Sequence, residues 1–130
     1  MDLKTSSRSE GSVVVVEVQG EIELSNAARL REVLLSTAGA GQCGLVVDLS
    51  GVSFIDSTGI GVLVGALKRA REHGHAFVLA AAQRRVRRVF EITGLLGVFS
   101  LCETVPEAIA HATEAQVPVR GLSDNGAAEE

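Results

Sequence analysis

The sequence IDSTG at residues 55–59 places two hydroxyl side chains directly after a carboxylate. An apolar run typical of a buried strand, residues 45–49, precedes this segment, and an apolar helical run, residues 60–67, follows it. We expect Ser57 to cap that helix, which would place its hydroxyl at the rim of the fold beside free backbone N–H groups. A helix N-terminus carries partial positive charge and suits a phosphoryl group. The pattern is therefore typical of a phosphorylated serine rather than of a catalytic centre.

Catalysis by Ser57 would require a general base and an oxyanion hole beside the hydroxyl. The G-x-S-x-G pattern is absent. His73 and His75 follow the far end of the predicted helix, roughly 20 Å from Ser57 at about 1.5 Å per residue. His111 is predicted on the last helix, so the three histidines form no metal-binding pattern. We expect no enzyme activity and no metal.

The glycines at positions 59, 61 and 65 follow the spacing G-x-G-x-x-x-G, which differs from the dinucleotide-binding pattern G-x-G-x-x-G. The phosphate-binding pattern G-x-x-x-x-G-K-[ST] is also absent. We therefore expect no cofactor. Gly61 and Gly65 each cost about 1 kcal/mol relative to alanine inside a helix. Either close packing on the sheet or close approach by a partner would require them, and the sequence favours packing.

Length and charge limit the classes of partner. A chain of 130 residues fits one domain, and a formal charge of −4 argues against nucleic acid. The arginines at positions 84, 85, 87 and 88 are expected on a solvated helix face, with an acidic protein partner as the alternative. No apolar run reaches the length of a membrane span, and the polar N-terminus does not resemble a signal peptide. We expect a cytoplasmic protein.

The two cysteines, Cys43 and Cys102, show neither metal spacing nor a C-x-x-C motif. We place Cys43 at the start of one strand and Cys102 at the end of another. Five residues of strand span roughly 16 Å, whereas a disulfide needs Cα atoms about 4–7 Å apart. If the two strands are parallel, the thiols lie at opposite ends of the sheet, so we expect reduced cysteines.

Hydrophobic periodicity predicts the order ββαβαβαβα. Strands are expected at residues 12–19, 20–24, 44–49, 76–82 and 98–102. The first helix is expected at residues 26–38, capped by Ser25 or Asn26, and the second from residue 57 to an end between residues 72 and 74. The third is expected at residues 84–93, closed by Gly94, and the fourth from Thr104, where a capping box begins. Alternating strands and helices indicate an α/β domain, residues 12–114, with a mostly parallel sheet of four to five strands covered by about four helices. Residues 1–11 are expected to be flexible, and residues 115–130 a disordered tail.

The central sequence resembles that of a known family. Residues 45–65, LVVDLSGVSFIDSTGIGVLVG, are similar to the central motif of the STAS domain and, more narrowly, of the stand-alone bacterial anti-sigma factor antagonists. GEI at residues 20–22 and VFEITGL at residues 89–95 match as well. The resemblance runs from about residue 13 to residue 112, which is nearly all of the predicted domain.

The resemblance implies a partner-switching cycle. The unphosphorylated protein would bind an anti-sigma factor, which is an ATP-dependent serine kinase, and so free the sigma factor. The kinase would phosphorylate Ser57, the first hydroxyl after Asp56, with Thr58 as the alternative acceptor. A metal-dependent serine phosphatase would restore the unmodified form. The protein would act without nucleic acid or membrane, as a monomer or weak dimer.

Residues expected to contact the partner lie near the same rim: Glu21, Glu23, Asn26, Asp48, Asp56, Ser57, Thr58 and Gly59. The family usually has aspartate where Glu23 stands, and threonine or serine where Asn26 stands, so partner choice is open. Asp56 either positions the serine hydroxyl or holds the turn. Asp48 is expected at the end of a buried strand as a structural acceptor. The alternative function is a regulatory STAS subunit of a transporter or of a stress-signalling scaffold.

Overall fold

Strands and helices alternate along residues 3–38 and 44–122, which a computed structural model describes, with side chains as far as residue 115. The elements are β1 Lys4–Glu10, β2 Val13–Ile22, α1 Ala27–Ala38, β3 Gly44–Ile55, α2 Ser57–Glu72, β4 Phe77–Ala80, α3 Arg84–Ile92, β5 Ser100–Cys102 and α4 Val105–Leu122. The predicted fold class and the order ββαβαβαβα are confirmed.

The five strands form one sheet in the order β1-β2-β3-β4-β5. β1 runs antiparallel to β2, and the other neighbours are parallel. Alternate residues of β2 point to opposite faces. Val16 and Val18 belong to the core cluster that includes α1, α2 and α3. Val13 and Val15 pack with residues of α4, which is the one described helix that covers the other face.

The first two strands differ from their predicted positions. Residues 4–10, expected to be flexible, form β1, which pairs with β2 from Lys4↔Gln19 to Glu10↔Val13. An edge strand needs no apolar face, because hydrogen bonds to the neighbouring strand and cross-strand side-chain pairs stabilise it. In β1, Arg8 Nη1 donates to Glu17 Oε2 of β2 at 2.7 Å. The predicted short strand at residues 20–24 is not separate, because Gly20 to Ile22 continue β2.

Two helix ends have the predicted capping interactions. Gly94 has φ +76°, and the N–H of Leu95 donates to the carbonyl of Phe90 at 2.9 Å, which closes α3 as predicted. Thr104 Oγ1 accepts the N–H of Glu107 at 3.2 Å at the start of α4. α4 continues to Leu122, so the helix extends beyond the predicted boundary at residue 115. Residues 123–130 of the predicted tail lie outside the described residues.

Cys102 lies at the end of β5, half-buried and free. Burial raises the pKa of its thiol, and the negative charge of Glu107 raises the pKa further. A raised pKa leaves less of the reactive thiolate at neutral pH. The predicted position of Cys43, and with it the comparison of the two thiols, falls outside the described residues.

Candidate functional site

Ser57 is the first residue of α2, and it is exposed. The N-cap is Asp56, whose Oδ1 accepts the N–H of Gly59 at 2.9 Å. The prediction that Ser57 caps the helix was therefore wrong by one residue. In the described part of the chain the Ser57 hydroxyl makes no hydrogen bond, so the fold does not depend on that side chain.

Asp56 holds two segments together. Its Oδ2 accepts the N–H of Leu24 at 3.1 Å, and its own N–H donates to the carbonyl of Ile22 at 3.1 Å. The carboxylate thus joins the β2–α1 loop to the start of α2. Of the two roles that the sequence left open for Asp56, the structure shows the one in which its side chain holds the backbone.

Asp56→Ala is expected to lower the free energy of unfolding by about 2 kcal/mol, because a lost N-cap costs about 1 kcal/mol and a lost hydrogen bond about as much. Urea denaturation measures the change. Hydrogen exchange should quicken at the amides of Leu24 and Gly59, which donate to this carboxylate. Asp56→Asn, which keeps a good capping group, serves as the control and should lose less. Unchanged exchange at both amides in Asp56→Ala would contradict the assignment.

Asn26 organises the β2–α1 loop. Its Oδ1 accepts the N–H of Glu23 at 3.0 Å, and its Nδ2 donates to the carbonyl of Glu21 at 2.8 Å. The Asn26 side chain therefore reaches back into the loop instead of capping α1 as predicted. Ser25 Oγ donates to Glu23 Oε2 at 3.2 Å and also caps no helix N–H. These bonds place the loop beside the N-terminus of α2.

Gly59 permits close contact between α2 and the ends of β2 and β3. A Cβ at this position would lie 2.6 Å from Ile22 Cγ2 and 2.7 Å from Ile55 Cγ1. Both isoleucines are buried, with exposures of 0% and 2%. Only glycine allows the start of the helix to approach these side chains without a shift.

Gly59→Ala is expected to lower the free energy of unfolding by about 1–3 kcal/mol through overpacking. Gly65→Ala on the same helix is the matched control, since a Cβ there meets nothing within 4 Å. The control should gain up to about 1 kcal/mol, because alanine is the better helix former. Urea denaturation compares the two variants, and effects of the same sign would contradict the packing argument.

An exposed strip of backbone runs from Ser57 along α2. Gly61 and Gly65 follow at intervals of four residues, so they share a helix face with Ser57. Both are exposed, and a Cβ at either would meet nothing within 4 Å. The prediction that they pack on the sheet was wrong. Leu24, held beside the helix start by Asp56, is 76% exposed. We call Leu24, Ser25, Ser57, Gly61 and Gly65 the switch surface.

The STAS domain family model matches residues 4–108. The chain belongs to the STAS domain family. It is 34% identical over 95 residues to an anti-sigma-B factor antagonist of Staphylococcus aureus, covering 73% of this chain and 88% of the relative. It is also 34% identical over 101 residues to that of Bacillus subtilis, covering 78% and 92%. A crystal structure of an anti-sigma factor antagonist from Mycobacterium paratuberculosis matches with a TM-score of 0.79 at 28% identity, covering 86% of this chain and 95% of the other.

The STAS fold brings most of the predicted partner-facing residues together, but not Asp48. Glu21, Glu23, Asn26, Asp56, Thr58 and Gly59 lie with Ser57 at one end of the sheet. Asp48 lies inside β3, paired with Glu17 and Ala80. Residues 49–55 continue the strand, roughly 23 Å of extended chain, before Asp56. Asp48 Oδ1 accepts the N–H of Ser50 at 2.9 Å, which is the structural role expected of it.

Leu24 is the residue of the switch surface that sequence reasoning missed. A lone apolar residue between Glu23 and Ser25 was the available signal. The periodic patterns assigned it to a short strand, where a leucine would be buried. The hydrogen bond from its N–H to Asp56 connects positions 32 apart in the chain, which no local pattern contains.

The other residues considered for catalysis or metal binding do not lie together in the described part of this STAS domain. His73 follows the last residue of α2, at the opposite end of that helix from Ser57. Among the described residues no three His, Cys, Asp or Glu side chains are grouped to hold a metal ion. No helix in the part of the chain that the structure describes combines the length and apolar character needed to cross a membrane.

Proposed function

We propose that this STAS domain is an anti-sigma factor antagonist that binds an anti-sigma factor serine kinase through the switch surface and is released when Ser57 is phosphorylated. The observation that carries the proposal is the exposed Ser57 hydroxyl, which has no structural role because Asp56 caps the helix. The names of the relatives support the class of partner. The role is regulatory, without a reaction catalysed by this chain.

The unmodified surface suits a protein partner. It combines the exposed Leu24 with the uncovered backbone of Gly61 and Gly65, and α2 carries no acidic residue in its first turn. A partner can pack against such a surface without burying a charge from the strip itself. Binding of the kinase here would also bring its ATP-dependent chemistry to the Ser57 hydroxyl.

Phosphorylation changes this surface by charge rather than by refolding. A phosphoryl group adds about −1.5 to −2 charges. It would stand next to the Asp56 carboxylate, which already accepts two N–H groups, on a protein of formal charge −4. The N-terminus of α2 offsets only about 0.3–1 kcal/mol. The partner would have to bury an uncompensated dianion or admit water, and either weakens binding.

Ser57 is the better acceptor of the two hydroxyls. Ser57 is exposed, whereas Thr58 is half-buried. A kinase must reach the hydroxyl oxygen, so exposure favours Ser57. A metal-dependent serine phosphatase would remove the group and return the protein to its binding form. We propose that the cycle takes place in the cytoplasm and that the antagonist acts as a monomer or weak dimer.

The test is a pull-down from native lysate with the unmodified protein and with Ser57→Asp, followed by mass spectrometry of the retained proteins. The proposal predicts an ATP-binding serine kinase retained by the unmodified protein only. Incubating the two purified proteins with ATP should then add one phosphoryl group to Ser57. Retention of transporter or scaffold subunits equally by both forms would overturn the proposal.

A further inference from the structure

A cleft lies at the far end of α2 from the switch surface. The 16 residues of α2 span about 24 Å, so this cleft is remote from Ser57. It has a volume of about 170 Å³ and opens between the C-terminal end of α2, the starts of β4 and β5, and α4. Its apolar lining includes Leu67 and Phe77, which are 6% and 5% exposed.

The polar side chains that line the cleft are those of an arginine, two histidines and a serine. These side chains come from four different segments, at Arg71, His75, Ser100 and His111. No acidic residue among those that the structure describes lines the cleft. Arg71 forms no ion pair with a carboxylate among the residues that the structure describes. The described lining therefore holds a guanidinium with no carboxylate beside it to balance the charge.

His75 is the buried member of this cluster, with an exposure of 8%. Its Nδ1 lies 3.0 Å from the carbonyl oxygen of Ala38. A carbonyl oxygen can only accept, so Nδ1 carries the hydrogen. Nε2 has no hydrogen-bond partner in the described part of the chain, although buried polar groups are nearly always paired. In the neutral ring Nε2 is then an acceptor, and it donates to an anion only in the imidazolium form. The ring lines the cleft, where a ligand can supply the missing partner.

We propose that this cleft binds a small organic monoanion, namely a carboxylate attached to a short apolar or aromatic group. A cavity of about 150 Å³ holds benzene, so the volume suits a ligand of that size. The arginine fork matches a carboxylate in geometry as well as in charge. Leu67 and Phe77 would contact the apolar part. The site does not involve the switch surface, and it goes beyond the proposed function.

The test is an NMR titration in which benzoate is added to the isotope-labelled full chain up to millimolar concentration. The amide chemical shifts are measured at each step. Saturable shifts are expected at residues 71–78, 98–101 and 111. Arg71→Gln should weaken binding about tenfold, because it removes the charged partner of the carboxylate. Arg69→Gln, an exposed arginine of the same helix that does not line the cleft, is the matched control and should bind as the wild type does.

Two further ligands identify the chemical class. Benzyl alcohol has the same ring without the charge, and inorganic phosphate has the charge without the ring. Both are expected to bind at least about tenfold more weakly than benzoate. Non-saturating shifts, equal binding by Arg71→Gln and the wild type, or equal binding of either control ligand would overturn the proposal. His111→Gln, at an exposed position, provides a second variant that does not disturb the core.

Discussion

Ser57→Asp is expected to weaken binding to the anti-sigma factor by at least about a hundredfold. Burying an uncompensated charge at an interface costs several kcal/mol, and about 1.4 kcal/mol is a factor of ten in affinity. The substituted carboxylate would stand beside the Asp56 carboxylate on the proposed binding surface. Isothermal titration calorimetry with the purified partner measures the change.

The fold should tolerate this substitution. Ser57 makes no hydrogen bond with the described residues, and a carboxylate in the first turn of α2 is stabilised by about 0.3–1 kcal/mol through the helix dipole. The melting temperature of Ser57→Asp should therefore stay at or slightly above that of the wild type. A loss of binding with an unchanged or higher melting temperature cannot be attributed to unfolding.

Ser57→Asn separates charge from shape. Asparagine has nearly the size and geometry of aspartate but is neutral, so it should lose less than about tenfold in affinity if charge causes release. Ser57→Ala should keep binding while blocking phosphorylation by the kinase. Equal losses in Ser57→Asp and Ser57→Asn would contradict the electrostatic mechanism and indicate steric exclusion instead.

The capping residue could be located from the sequence to within one position only. Asp56 and Ser57 are both favoured N-cap residues, and helix boundaries inferred from pattern carry an uncertainty of that size. The choice depends on two bonds: the N–H of Gly59 donates to Asp56 Oδ1, and the N–H of Leu24 donates to Asp56 Oδ2. Since the second of these bonds depends on the packed fold, the sequence could indicate the start of α2 as a candidate site but not which of the two side chains caps the helix.

Polar residues made the predicted strands shorter than the observed ones. The predicted strand ended at residue 49, yet Ser50, Gly51 and Ser53 lie inside β3, which runs to Ile55. The pairing of β2 with β3 contains register shifts at this point, so the apolar alternation is interrupted. β1 has a nearly all-polar sequence that only an existing strand edge can order. In both strands, pairing with a neighbour in the sheet outweighs the low strand preference of the polar residues.

The apolar runs, by contrast, predicted the core correctly. Leu45, Val46 and Val47 are fully buried in β3, as a parallel strand covered on both faces requires. The helix patterns from Ser57 and from Arg84 give the observed α2 and nearly the observed α3. The glycines of α2 were ambiguous because a small residue suits both a tight core and an open surface, and only the structure separates Gly59 from Gly61.

Gly61→Gln is expected to stabilise the isolated protein while weakening its binding to the anti-sigma factor by about tenfold or more. Gly61 is exposed, and a Cβ there meets nothing within 4 Å, so the substitution should raise the free energy of unfolding by roughly 0.5 kcal/mol. At the interface the same side chain would stand between the partner and the helix backbone, one turn from Ser57. Urea denaturation and calorimetric titration measure the two effects separately.

The opposite signs of these two effects distinguish a lost contact with the partner from a folding defect. A variant that is more stable and binds less well has lost an interaction with the partner, because a folding defect would lower both quantities. Ala110→Gln places the same side chain at an exposed position of α4, on the other face of the sheet, and should leave the affinity unchanged. If Gly61→Gln binds as tightly as Ala110→Gln, the partner does not approach this strip of α2, and the switch surface is restricted to Ser57 and the β2–α1 loop.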